Sequence, residues 1–225
     1  MSIYKQYLGG DFDKLHPMMQ QRFGLTADGG KYMIGRGYMD RIWNAGWHTL
    51  PFLLFGTRRN IMFPETGASI PFTIENYAYI DSFGRETVTW IRQFHFKDKI
   101  RHFDATMVYS PERKKIVDYL GTMQHLAVDI DMKVNADGSI TIQSGNQRFY
   151  EGMVGFKFPA FFSGDATVNE SYDEQKNRFN ISVAVGNKTF GKIFGYNGYF
   201  EAEYCDIPAT GIPAYAKPLR EEIRE

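Results

Sequence analysis

From Asn60 onward the chain is cut by turn residues into strand-length runs at short, regular intervals. Ile70–Ile80, Arg85–Phe96, Arg101–Tyr109 and Lys115–Leu120 are separated by Asp81-Ser82-Phe83-Gly84, Asp98-Lys99 and Ser110-Pro111-Glu112-Arg113. That is the punctuation of antiparallel hairpins. Leu126–Val134 and Ser139–Phe149 follow, joined by Asn135-Ala136-Asp137-Gly138, and Asp-Gly is a strong hairpin signal because it tolerates positive φ. After a Phe158–Gly164 loop come Ala166–Tyr172, Phe179–Val185 and Phe194–Cys205. No segment between these runs reads as a crossover helix, which parallel neighbours would need. Several runs exceed the usual strand of about 5–6 residues. The expected fold is mainly β: an antiparallel meander forming a curved sheet or barrel-like wrap, with short N-terminal helices capping one opening.

The first 55 residues read differently. Pro17 suits the first position of a short helix, Met18–Phe23, with His16 at its N-cap and Gly24 closing it, since proline lacks the donor that a helix start leaves unused. Lys31–Gly37 reads as a first strand. Tyr38–Leu54 reads as a second helix with Met39, Ile42, Trp43 and Trp47 on one side, although Gly46 weakens it. Leu50–Phe55 is a buried apolar segment on this reading. The organisation is a single β-rich domain over 1–225: a helical or irregular cap over 1–55, the antiparallel sheet over 56–207, and a C-terminal arm over 208–225. Three prolines and a charged end make that arm loosely packed or a short terminal helix.

Charge removes some function classes. Lys+Arg 26 against Asp+Glu 26 leaves no basic excess for a phosphate backbone, so nucleic acid is not an expected partner. No stretch reaches the roughly 20 apolar residues of a membrane-spanning helix, and the start lacks the pattern of a secretory signal. A cytoplasmic location is expected. Cys205 stands alone, so no intrachain disulfide can form. The aromatics carry more information: 19 Phe, 14 Tyr and 3 Trp make 16% of the chain, which suits a thick core or an aromatic-lined cavity.

Alternation also tells which polar residues point inward. In Arg85–Phe96 one face carries Val88, Trp90, Phe94 and Phe96, and the other Arg85, Thr87, Thr89, Gln93 and His95. Arg92 falls on the apolar face, where an unpaired guanidinium is very costly. Glu170 shares a face with Ala166, Val168 and Tyr172. Arg148 extends the face that begins at Ile140 and Ile142, and Tyr196 lies on the aromatic face with Phe194, Phe200 and Tyr204. Converging within an aromatic shell, these side chains would orient a polar head while burying an apolar body. The competing reading is a structural Arg92–Glu170 salt bridge. A one-residue register slip would reverse every assignment.

Other chemistry finds less support. His125, Asp129 and Asp131 share a strand face, but without HxH, HExxH or CxxC spacing they read as a solvated face and no metal is expected. Ser144 and Ser163 lack a nucleophile-elbow context. Gly191, Gly195 and Gly198 are no dinucleotide fingerprint and suit a bulge or tight curvature. Trp43, Trp47, Leu50, Phe52, Leu53 and Phe55 lack the basic opposite face of an interfacial helix, so they read as core.

LGGDFDKLHP at the start, Leu50-Pro51, IPFTIE at 70–75, TWIRQF at 89–94, FPAFFSGDA at 158–166, RFNISV at 178–183 and GKIFGYNGYF at 191–200 together resemble a family. It is an uncharacterised bacterial domain-of-unknown-function family, stand-alone or fused to saccharopine-dehydrogenase-like oxidoreductases. The matching positions include His16, Trp90, Arg92, Phe94, Pro159, Glu170, Tyr196 and Gly198. The family has no established activity, and the fusions imply a domain that handles a small molecule. The expected function is a non-catalytic binding module for an apolar or amphipathic small molecule, held by Trp90, Arg92, Arg148, Glu170, Tyr196 and His16. No cofactor is expected. The alternatives are an enzyme with Glu170 as acid/base and Arg92 anchoring an anion, and a module that docks a partner through Trp43 and Trp47.

Overall fold

Each alternating run pairs with the next one along the chain. The computed structural model describes residues 1–124, 126–151, 154–157, 165–187 and 191–223. Helices α1 (Ile3–Leu8) and α2 (Pro17–Phe23) precede strand β1 (Lys31–Asn44), and helix α3 (Leu50–Thr57) follows it. The remaining strands are β2 (Gly67–Ile80), β3 (Glu86–Phe96), β4 (Lys99–His102), β5 (Ala105–Ser110), β6 (Lys115–Leu120) and β7 (Leu126–Val134). Then come β8 (Ile140–Glu151), β9 (Val154–Lys157), β10 (Asp165–Asp173), β11 (Arg178–Asn187) and β12 (Gly191–Asp206). The last strand returns to pair antiparallel with the first, from Lys31↔Asp206 to Asn44↔Phe194. Strand β10 bridges to β8 from Thr167↔Gln143 to Glu170↔Ile140. Among the described residues, ten strands thus close an antiparallel barrel, with β4 and β9 pairing on β3 and β8 outside the ring. A ring of alternating strands closes only on an even number, and closure removes the free edges that invite aggregation.

The sequence expectation of a helix over Tyr38–Leu54 is overturned. Strand β1 runs through to Asn44, and helix is confined to Leu50–Thr57 after a short 3-10 turn. The cause is a β-bulge. The β1–β12 register shifts between Met39 and Arg41, so buried Met39 and Ile42 sit three residues apart on the same face. That spacing imitates a helical stripe, although the chain is extended.

Two β12 glycines let neighbouring chain approach this bulge. A Cβ on Gly198 would lie 2.2 Å from the Tyr38 carbonyl oxygen, and one on Gly195 would lie 2.3 Å from the Trp43 ring. Neither clash is relieved by moving a flexible tip. Gly198→Val is therefore expected to cost about 1–3 kcal/mol through overpacking. Urea denaturation checks this, and a midpoint unchanged from the parent chain would show that the backbones are not so close.

The barrel interior is filled unevenly. On the side of β1, β2, β3 and β12 the large rings of Phe72, Phe94, Phe194, Tyr196 and Phe200 pack together, with Phe63 among them. Opposite them the inward positions of β6, β7, β8 and β10 are aliphatic, such as Leu120, Val128, Ile142 and Val168. Barrels of about eight strands are just filled by side chains or hold one small ligand, and diameter grows with strand number. Ten strands with rings on one side and short side chains on the other leave space.

The two ends are covered by different segments. Helix α1 packs on β3, β5 and β6 and α2 on β10, so the N-terminal helices close one opening, as the sequence suggests. His16 caps α2 by accepting from the Met18 amide. The other opening is covered by α3 and the chain following it. Asn60 accepts from the Asp104 amide at 2.8 Å, and Pro64 accepts from the Asn44 side chain at 2.6 Å. The C-terminal arm is bound more firmly than expected. It lies along the outside, with Ala216 buried against Tyr77 and Ile91 and the Leu219 amide donating to Thr122 at 2.7 Å. No helix among the described residues is long and apolar enough to cross a membrane.

Candidate functional site: a cavity inside the barrel

A cavity of about 130 Å³ lies in the unfilled half of the barrel. Trp90 and Arg92 on β3, Met107 on β5 and Asp118 on β6 form one wall. Val128, Ile130, Ile142, Val168 and Val183 form the facing wall, and Phe55, Ile61 and Met62 cover it from the α3 side. Most of this lining is hydrocarbon, so its few polar groups decide what it can hold.

Arg92 is placed by a break in strand pairing. The run Arg101–Tyr109 is expected to be one strand, but it divides into β4 and β5 at Phe103-Asp104. There the Asp104 carboxylate accepts from the Arg92 amide at 3.3 Å, and the Phe103 amide donates to the Arg92 carbonyl at 3.0 Å. Freed from the ladder, the Phe103 carbonyl accepts from Arg92 Nε at 2.7 Å, and its ring lies 4.1 Å beneath the guanidinium. Arg92 Nη1 donates to the Tyr196 hydroxyl at 3.2 Å. Arg92 is 4% exposed, and among the described residues no carboxylate contacts its guanidinium. An aromatic face and neutral acceptors stabilise it here.

Asp118 is an acid whose carboxyl feels this charge. It alternates inward between Ile116 and Leu120, and its Oδ1 is buried with no hydrogen-bond partner among the described residues. Burial pushes its carboxyl up to about 7, and the Arg92 charge pulls it back down. A carboxyl in an apolar wall resists ionisation because the charged form has lost its water.

Glu170 does not meet Arg92. Its two carboxylate oxygens accept from Nε and Nη2 of Arg22, at 2.8 and 3.2 Å, in a forked pair with side chains 1% and 0% exposed. Arg22 also donates to Asn76 and lies 4.7 Å above the Trp90 ring. The expected Arg92–Glu170 bridge is therefore replaced by a pair from α2 to β10, on the side of the barrel that the N-terminal helices close. Trp90 stands between the two arginines, with Arg92 5.7 Å from its ring.

The remaining sequence candidates separate. Trp90 lines the cavity, and Tyr196 is buried beside it as the acceptor for Arg92. His16 lies on the helical plug, stacked on Tyr172 and 3.0 Å from Glu174. Arg148 faces outward and binds Asp129 at 2.7 Å, together with Arg113. A register shift between Val128 and Ile130 sets Asp129 against two β8 residues, so Ser144 and Gln147 turn inward and Arg148 outward. Asp131 is bonded to Tyr7 and Lys115. His125 and the Phe158–Gly164 loop, with Pro159, fall outside the described residues. Of the apolar stretch near α3, Leu53 is core, whereas Trp47, Leu54 and Phe55 are exposed.

A family model described as a domain of unknown function, DUF4166, matches residues 15–200. The chain belongs to this family. The DUF4166 chain is also similar to "Uncharacterized protein YndH" of Bacillus subtilis (strain 168), 34% identical over 202 residues, which is 90% of this chain and 97% of that one. The matched part of the DUF4166 domain contains Trp90, Arg92, Asp118, Glu170 and Tyr196, and the Arg22 that sequence reading missed. Arg22 could have been found as the i+3 neighbour of Met19 on the buried face of α2, beside Phe23. Asp118 could have been found as the one acid within the otherwise uncharged run Ile116–Leu120.

Proposed function

We propose that this protein is a non-catalytic binding module for an apolar or amphipathic small molecule held inside the barrel. The observation that carries the reading is the cavity itself: hydrocarbon walls with Arg92 and Asp118 set into them. A solid core would place neither charge at an internal surface, because each costs stability when left without a full set of partners. The fusions to saccharopine-dehydrogenase-like oxidoreductases that the sequence resemblance implies suit a module that holds a small molecule for an enzyme. The catalytic alternative needs Glu170 open to the cavity, and both of its oxygens accept from Arg22 instead.

Native mass spectrometry of the purified chain, beside a denatured and solvent-extracted sample, tests this. The expected result is an added mass that is lost on denaturation and is absent from an Asp118→Leu chain. A bare mass, together with no change in melting temperature across a library of small apolar molecules, would overturn the binding reading.

One observation favours a second reading, a docking face. Trp47 is 83% exposed beside exposed Leu54 and Phe55 on the covering segment. Exposed apolar residues in one place mark interaction surfaces more often than scattered ones do.

A further inference from the structure

The polar groups of the cavity differ in what they have left to offer. Arg92 directs Nε to Phe103 and one Nη1 hydrogen to Tyr196, so its other three N–H groups, two of them on Nη2, have no acceptor among the described residues. Asp118 offers the reverse: its carboxyl lines the cavity as an acceptor, and because Oδ1 is sealed in without a partner among the described residues, the other oxygen is the one a ligand can reach. The two side chains face the same cavity, and the Arg92 charge is felt at Asp118. A third charge, Arg59, sits in the covering segment with its guanidinium 4.6 Å from the Phe55 ring.

We propose that the cavity takes an uncharged molecule with a compact apolar body about the size of one ring and a single hydroxyl or primary amide, which accepts from Arg92 and donates to Asp118. This rests on the binding-module reading and narrows it to one chemical class. A hydroxyl is both donor and acceptor at one atom, and a primary amide offers the two functions side by side. An anion would face the Asp118 carboxylate, and a cation would face Arg92. A plain hydrocarbon would leave the Asp118 carboxyl without a donor, a cost of the kind that hydrogen-bonding sites use to reject analogues. Size agrees with the class. A hydrocarbon cavity of about 150 Å³ holds benzene, and this one is slightly smaller at about 130 Å³, so one ring with a small head group is the upper limit. Burial, which pushes Asp118 up to about 7, also lets the carboxyl accept or donate near neutrality.

The test is a titration of the full chain with four molecules of nearly one shape: toluene, benzyl alcohol, benzoate and benzylamine, followed by calorimetry and by ¹H–¹⁵N spectra. Benzamide serves as the amide probe. Benzyl alcohol and benzamide are expected to bind at least about tenfold more tightly than the other three, the scale of one buried polar group gaining its partner. Asp118→Leu is expected to erase the alcohol's advantage while toluene still binds, which keeps a folded control in hand. Equal binding of toluene and benzyl alcohol would overturn the head-group assignment and leave the binding module standing. Preference for benzoate or benzylamine would overturn it in favour of a charged ligand. Binding of none of the five would overturn the assignment and the module reading together.

Discussion

Glu170→Ala is expected to destabilise the protein by about 3–5 kcal/mol, the usual consequence of removing one partner from a buried ion pair. The size follows from what remains. Arg22 is 2% exposed, and its Nε and Nη2 both point at Glu170. Without the carboxylate, a full positive charge stays among Trp90, Phe200 and Phe23, whose ring faces stabilise it only in part. The helix carrying Arg22 is a short one of seven residues, so its docking depends on tertiary contacts such as this. The double variant Arg22→Met, Glu170→Met is expected to recover most of the loss, since a buried pair replaced by hydrocarbon of similar volume is often neutral. Urea denaturation of the three chains reads both effects. A loss below about 1 kcal/mol in Glu170→Ala would mean that Arg22 reaches water or another acid.

The barrel was legible in the sequence because its signal is local and repeated. Turn residues at short intervals and alternation on β3 placed Val88, Trp90, Arg92 and Phe94 correctly on the interior face. Glu170 was likewise placed inward from alternation alone. Where the reading failed, the period of two was broken. The bulge after Met39 made β1 look helical, and the register shift opposite Asp129 turned Arg148 outward. Partner choice was less accessible still. Arg92 and Glu170 were both correctly buried, yet the acid found Arg22, from a helix whose docking no strand pattern encodes. Asp118 was hidden for another reason. The outer face of its strand, Val117 and Tyr119, is as buried as the inner one, so no contrast between faces drew attention to it.

Asp118→Asn is expected to change how stability depends on pH. In the unfolded chain an aspartate ionises near pH 4, whereas in the barrel burial pushes Asp118 up to about 7. Between those values the folded state holds a proton that the unfolded state has released. Stability contributed by this group is therefore greatest below about pH 4, declines as pH rises toward about 7, and is flat above it. The gap between about 4 and about 7 corresponds to about 4 kcal/mol at most, and partial solvation of the carboxyl would lower this toward about 2 kcal/mol. Asparagine has no such transition. The stability of the variant minus that of the parent should therefore rise by about 2–4 kcal/mol between pH 4 and pH 8. Taking the difference cancels the other titrating groups, which both chains share. A difference independent of pH would place Asp118 in water and remove the polar end of the cavity. A molecule that donates to the Asp118 carboxylate stabilises its charged form, so saturating benzyl alcohol should move the parent's decline to higher stability above pH 7. In Asp118→Leu the same molecule should raise stability about equally at every pH, which ties the titration of one carboxyl to the occupancy of the cavity.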